Sequence, residues 1–156
     1  MVELLNEFFA VVVEVVESHG GWVNKFEGDA ALCIFGVPTS DERCAANALA
    51  AARDLAGRLG RGGLPPAGIG VSAGKVVAGN VGAPHRLEYT VIGDPVNEAA
   101  RLTELAKDEV HRALASEAAL TAAGDAESAH WRLGDAVRLR GRAETTRLAR
   151  PTAGMQ

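Results

Sequence analysis

An α+β fold, with helices packed on one face of a largely antiparallel sheet, is what the sequence predicts. Three observations lead there. Apolar residues recur at helical spacing in separated stretches, short β-rich runs lie between them, and glycine-bearing turns divide those runs. No internal repeat or linker interrupts the 156 residues, so one domain over 1–150 and a short tail at 151–156 are expected.

The elements follow in order. Leu5, Phe8, Phe9, Val12 and Val16 form one apolar stripe, and His19-Gly20-Gly21 ends that first helix. Its valines are weak helix formers, so burial has to hold it. Residues 22–36 read as a hairpin, WVNKF and AALCIF around Glu27-Gly28-Asp29. Pro38 and Thr39 open the next helix, with Thr39 and Glu42 spaced as a capping box. Ala45, Ala48, Leu49, Ala52, Leu55 and Leu59 make its buried stripe, and a Gly/Pro loop at 60–66 follows.

Residues 67–82 read as two short strands with a glycine turn, and Leu87–Ile92 as a third. Asp94 is expected as the N-cap and Pro95 as the first residue of a helix to Ala106. A short strand near Ala113 and a helix from Ser116 to Ala123, stopped by Gly124, come next. Residues 131–149 close the chain as two strands with a turn near Gly141.

Composition narrows the function. The chain carries a formal charge of −4 and only 4% aromatic residues, against general nucleic-acid binding and base-stacking platforms. Charge is uneven: six arginines (132, 138, 140, 142, 147, 150) oppose Asp135 and Glu144 over residues 131–150, a net of +4. The rest therefore carries −8. Such a basic segment suits either a solvated strand face or a phosphate-bearing ligand. Two cysteines and four scattered histidines show no zinc spacing or disulfide framework, and no apolar run has membrane-spanning length; a cytoplasmic protein is expected.

The glycines are not a phosphate loop. A Walker loop needs Gly five residues before its Gly-Lys pair, where Ile69 stands before Gly74-Lys75, and Val76 replaces the following Ser or Thr. Gly68-Ile69-Gly70 also fails to continue as a dinucleotide fingerprint. Lys25 and Asp29 are harder to dismiss. They lie four apart across Gly28 inside apolar sequence, so they either sit on a surface turn or face a charged ligand.

Three segments together carry a resemblance: NKFEGDAALCIFG (24–36), GVSAGKVVAGNVG (70–82) and RLEYTVIGDPVNEAARL (86–102), with VRLRGRAETTRL (137–148) adding to it. They resemble the class III nucleotidyl cyclase catalytic domain, most closely its bacterial adenylate cyclases, over residues 1–150. The resemblance implies a ferredoxin-like cyclase fold and a head-to-tail dimer with sites at its interface. It also implies attack of the ATP 3′-oxygen on the α-phosphate, giving cyclic AMP and pyrophosphate for intracellular signalling. Two Mg²⁺ or Mn²⁺ ions per site would assist.

Residue by residue, the resemblance makes Asp29 a metal ligand and Lys25 a base-reading residue. Adenine N1 only accepts a hydrogen bond and lysine only donates. Thr90 takes the second base-reading position; its hydroxyl accepts from the adenine amino group or donates to guanine O6. Asn97 is implied to orient the ribose and Arg101 to stabilise charge on the α-phosphate, four apart on one helix face. Arg140 is implied to bind the triphosphate, with Arg142 assisting.

The family's first metal aspartate lies on an opening strand, and no residue here matches it; Asp41 and Asp54 fall on the wrong helix. Little activity is therefore expected of the chain alone. Two alternatives stand beside the adenylate cyclase: a non-catalytic, nucleotide-binding or dimerising remnant that pairs with a related cyclase chain, and a guanylate cyclase, which Lys25 disfavours.

Overall fold

In the computed structural model the described residues are 2–37, 42–61 and 63–152. The capping-box residue Thr39, with Pro38 and Asp41, lies outside them. Helix α1 (Val2–Ser18) buries Phe8, Val12, Val15 and Val16. Strands β1 (Trp22–Glu27) and β2 (Ala30–Ile34) form the hairpin, and α2 (Cys44–Arg61) follows. Next come β3 (Ile69–Val71), β4 (Val77–Ala83), β5 (Arg86–Ile92) and α3 (Asp94–Ala106). The chain continues through β6 (Ala113–Ser116), α4 (Glu117–Ala123), α5 (Asp125–Ser128), β7 (Trp131–Arg138) and β8 (Thr145–Pro151).

The strands do not make one sheet. Antiparallel ribbons β1–β2 and β4–β5 stand apart from a four-stranded sheet of order β3-β6-β8-β7. Within that sheet β3 pairs with β6 in parallel, while β6–β8 and β7–β8 are antiparallel. The β1–β2 ribbon and β3 pack on one cluster through Val23, Ala31, Cys33 and Ile69, without hydrogen-bonding to each other. The expected α+β architecture with largely antiparallel pairing holds, and its strands are divided among three sheets because among the described residues no strand lies between the hairpin and β3 to join them.

Helix α2 is shared by two apolar clusters because its stripe is wide and built of small residues. Leu49 and Ala52 turn toward β6, α4 and Trp131, while Ala51, Leu55 and Leu59 turn toward α1. Each fully buried leucine of this kind contributes about 1.5–3 kcal/mol. A third cluster joins Leu102 and Ala106 of α3 to Leu114, Leu139 and Leu148.

Two helix starts show how local sequence works. Ser116 caps α4, its hydroxyl accepting from the Ala119 N–H at 3.2 Å. At α3 the expected cap is displaced by one residue. Gly93, at φ +149°, occupies the N-cap, Asp94 is the first helical residue and Pro95 the second. A Cβ at Gly93 would press on Lys75 O at 3.1 Å, which leaves the position to glycine. Gly70 serves another purpose: a Cβ there would lie 2.6 Å from Thr103 N, so its absence lets α3 rest directly on β3.

Strand β8 runs through Pro151, and the Thr152 N–H donates to His130 O at 2.9 Å, so order continues just past residue 150. No helix among the described residues is long and apolar enough to cross a membrane.

Candidate active site

The hairpin places the first pair of candidates. Register runs Val23↔Cys33 and then Lys25↔Leu32, so Asn24 is a bulge residue with no cross-strand partner. The bulge reverses the alternation of side chains. Val23 and Ala31 pack on the α1–α2 cluster, and Phe26, opposite Ala31, meets Phe9 of α1 with centroids 4.2 Å apart. Lys25, between them, is thereby turned to the face away from α1, and 39% of its side chain is exposed. Its ammonium lies 3.9 Å from Glu27.

Beside that face lies β5. The Asn24 side-chain amide donates to Tyr89 O at 3.1 Å, and the Tyr89 ring meets Trp22 at 5.9 Å. Tyr89 precedes Thr90 as Asn24 precedes Lys25, so the two base-reading candidates come from neighbouring backbones. The Thr90 hydroxyl donates to Glu88 O at 3.2 Å, which leaves its lone pairs able to accept. Across the ribbon Thr90 faces Gly79, and open space surrounds the position a Cβ there would take.

Helix α3 places the second group. Asn97 and Arg101 share one face, and Arg101 Nε donates to Arg140 O at 3.3 Å. This bond ties the Arg101 side chain to the backbone of Arg140, in the turn between β7 and β8. Arg101 also pairs with Glu104 at 3.1 Å. Asp29 sits exposed at the β1–β2 turn.

Arg142 is placed differently from its expected role on the triphosphate. Its guanidinium grips Asp94 at 2.7 Å and Glu98 at 2.9 Å, with 11% of its side chain exposed. The bond from Arg142 holds the Asp94 carboxyl below its ordinary range. Glu98, which in sequence reads as part of a polar helix face, is buried and also accepts from Ser72 and from Thr146 at 2.6 Å. Sequence reasoning missed this knot because its members come from β3's exit, α3 and β8; the surplus of arginine over 131–150 was the available signal. Two more of those arginines, 147 and 150, pair with Glu117 and Glu109.

The structure thus brings the Lys25 strand beside the Thr90 strand through the Asn24–Tyr89 bond, and sets Arg101 against the Arg140 backbone. The chain belongs to the adenylate and guanylate cyclase catalytic domain family, whose model matches residues 1–148. Among its relatives is the uncharacterized protein Rv1319c of Mycobacterium tuberculosis, 58% identical over 154 residues, or 97% of this chain. The chain spans 29% of that relative's length.

Solved structures agree on the fold. A bacterial light-regulated adenylyl cyclase superposes with a TM-score of 0.82 at 22% identity, over 99% of this chain and 45% of its own. The guanylyl cyclase Cya2 gives 0.70 at 29% identity, over 95% and 78%. Adenylyl and guanylyl enzymes thus both stand among the neighbours.

Cyclases of this family use divalent metals. Asp29 supplies one carboxylate at an exposed turn, and among the described residues no group of three or more His, Cys, Asp or Glu side chains converges. That donor set does not fit a two-metal centre, which needs several carboxylate oxygens at each site.

Proposed function

We propose that this chain is the catalytic domain of an adenylate cyclase, making cyclic AMP and pyrophosphate from ATP at a site completed between two copies. One observation carries the choice of base. Lys25 can only donate, and Thr90 has committed its proton to Glu88 O, so it accepts. Adenine offers the complementary pair, an accepting N1 and a donating amino group. Guanine presents a donating N1 and an accepting O6, opposed at both positions.

The remaining roles follow from placement. Arg101, held beside Arg140, stabilises charge on the α-phosphate with its fixed fork, and Arg140 takes the triphosphate. Asn97, one turn before Arg101, orients the ribose. Arg142 fixes α3 rather than touching phosphate. No covalent intermediate is needed, since positioning and charge stabilisation dominate.

Pairing of copies is supported by the ribbon. Val77, Val81 and Ile92 lie on the same face of β4–β5 as Thr90 and are 56–69% exposed. An apolar face of that kind calls for a cover, and a second copy would bring Asp29 to the nucleotide held by Lys25.

The base assignment is tested by Lys25→Glu. ATP use should fall and GTP use rise when cyclic AMP and cyclic GMP production are compared; an unchanged preference refutes the reading. The lone carboxylate of Asp29 favours one second reading, a subunit that binds nucleotide but acts only with a related chain. Mixing with a partner cyclase that retains its carboxylates but lacks its Asn/Arg pair distinguishes them: activity in the mixture alone selects the second.

A further inference from the structure

We propose that Asn24 is a positioning residue for base recognition: left unpaired in the ladder it keeps Lys25 on the outer face, and its side chain sets the separation of Lys25 from Thr90; this rests on the base-reading role given to those two residues. The bulge at Asn24 sets direction. With strict alternation Lys25 would share the face of Val23 and point at α1, among Phe9, Val12 and Val16. One extra residue moves it to the other face while Phe26 regains the helix side. The register supports this independently, because Val23 and Phe26 meet the same cluster although three residues apart.

The Asn24 side chain sets separation. Ribbons β1–β2 and β4–β5 share no ladder, so backbone pairing does not fix their spacing. The bond from the Asn24 amide to Tyr89 O crosses that gap at 3.1 Å, one residue before Lys25 and one before Thr90. The Trp22–Tyr89 ring contact supports it from the side. A base held by both residues reads the distance between them, so loss of the crossing bond should blur recognition of the base while leaving contacts to the phosphates untouched.

The test compares the affinities of the full chain for ATP, GTP and inorganic tripolyphosphate by calorimetric titration. Asn24→Asp keeps size and turn preference but only accepts, so it loses the bond to Tyr89 O. Its added charge cancels in the ATP:GTP ratio, since both ligands carry the same triphosphate. We expect that ratio to fall about fivefold, the worth of one hydrogen bond. Asn24→Leu, a neutral variant of similar size, should do the same with tripolyphosphate affinity unchanged, and thermal unfolding reports whether each variant is folded. Lys25→Met serves as reference. If Lys25→Met loses discrimination while the Asn24 variants keep it, the positioning role is overturned alone. If Lys25→Met keeps the wild-type ratio, the base-reading role falls and this inference with it.

Discussion

Cys33 on β2 packs against the α1–α2 cluster, and burial pushes its thiol from 9.0 up to about 11. The folded chain therefore holds this proton to higher pH than the unfolded chain. Below pH 9 both states keep it and stability is indifferent; between about pH 9 and 11 the unfolded state alone releases it, so stability falls as pH rises. Urea unfolding at pH 8 and 10.5 should show this loss, and Cys33→Ala should flatten the difference between the two. At this scale the sequence was informative where a residue type has few uses. Lys25 and Asp29 stood out because charge inside apolar sequence is costly. Glu98 did not, because a glutamate on a helix is ordinary, and the approach of Ser72, Arg142 and Thr146 from distant segments makes it a buried acceptor.

Among the elements, α3 illustrates what holds a helix face in place. Its inner side rests on β3 at Gly70, and its first two turns are tied to β8 and the turn before it through Asp94, Glu98, Arg142 and Thr146. Replacing Glu98 by alanine leaves a largely buried guanidinium and two hydroxyls with a lost partner. A destabilisation of about 3 kcal/mol is expected, measurable by urea denaturation at neutral pH. Helices α1 and α2 were legible from apolar spacing, and α4 from Ser116 and Gly124. The α3 start was misread by one residue, because Asp94 looks like a cap while Gly93 takes the position and Arg142 takes the carboxylate. The bulge in β1 was not legible either: Trp22-Val23-Asn24-Lys25-Phe26 alternates loosely enough to pass for a regular strand.

For the whole molecule, the sheets record what local pattern cannot fix. The β1–β2 ribbon was readable from its turn and β4 and β5 only as separate strands, while the order β3-β6-β8-β7 and the parallel β3–β6 pair depend on contacts far apart in sequence. The ribbon β4–β5 leaves an apolar face exposed. Val77 and Val81 point outward on the face that bears Thr90. Replacing both by aspartate should shift the chain toward monomer in sedimentation velocity, and should lower cyclic AMP production in the same preparation. A chain that sediments unchanged after both substitutions would count against this face as the contact.

The single unpaired residue in β1 makes the strand tolerant of one particular loss. Deleting the Asn24 codon would close the bulge into a regular pair, with Val23 still inside, Lys25 still outside and Phe26 still against Phe9. Only the amide reaching Tyr89 O would go. A chain one codon shorter there should therefore keep its fold and the heading of its ammonium, and lose the strut between the two ribbons.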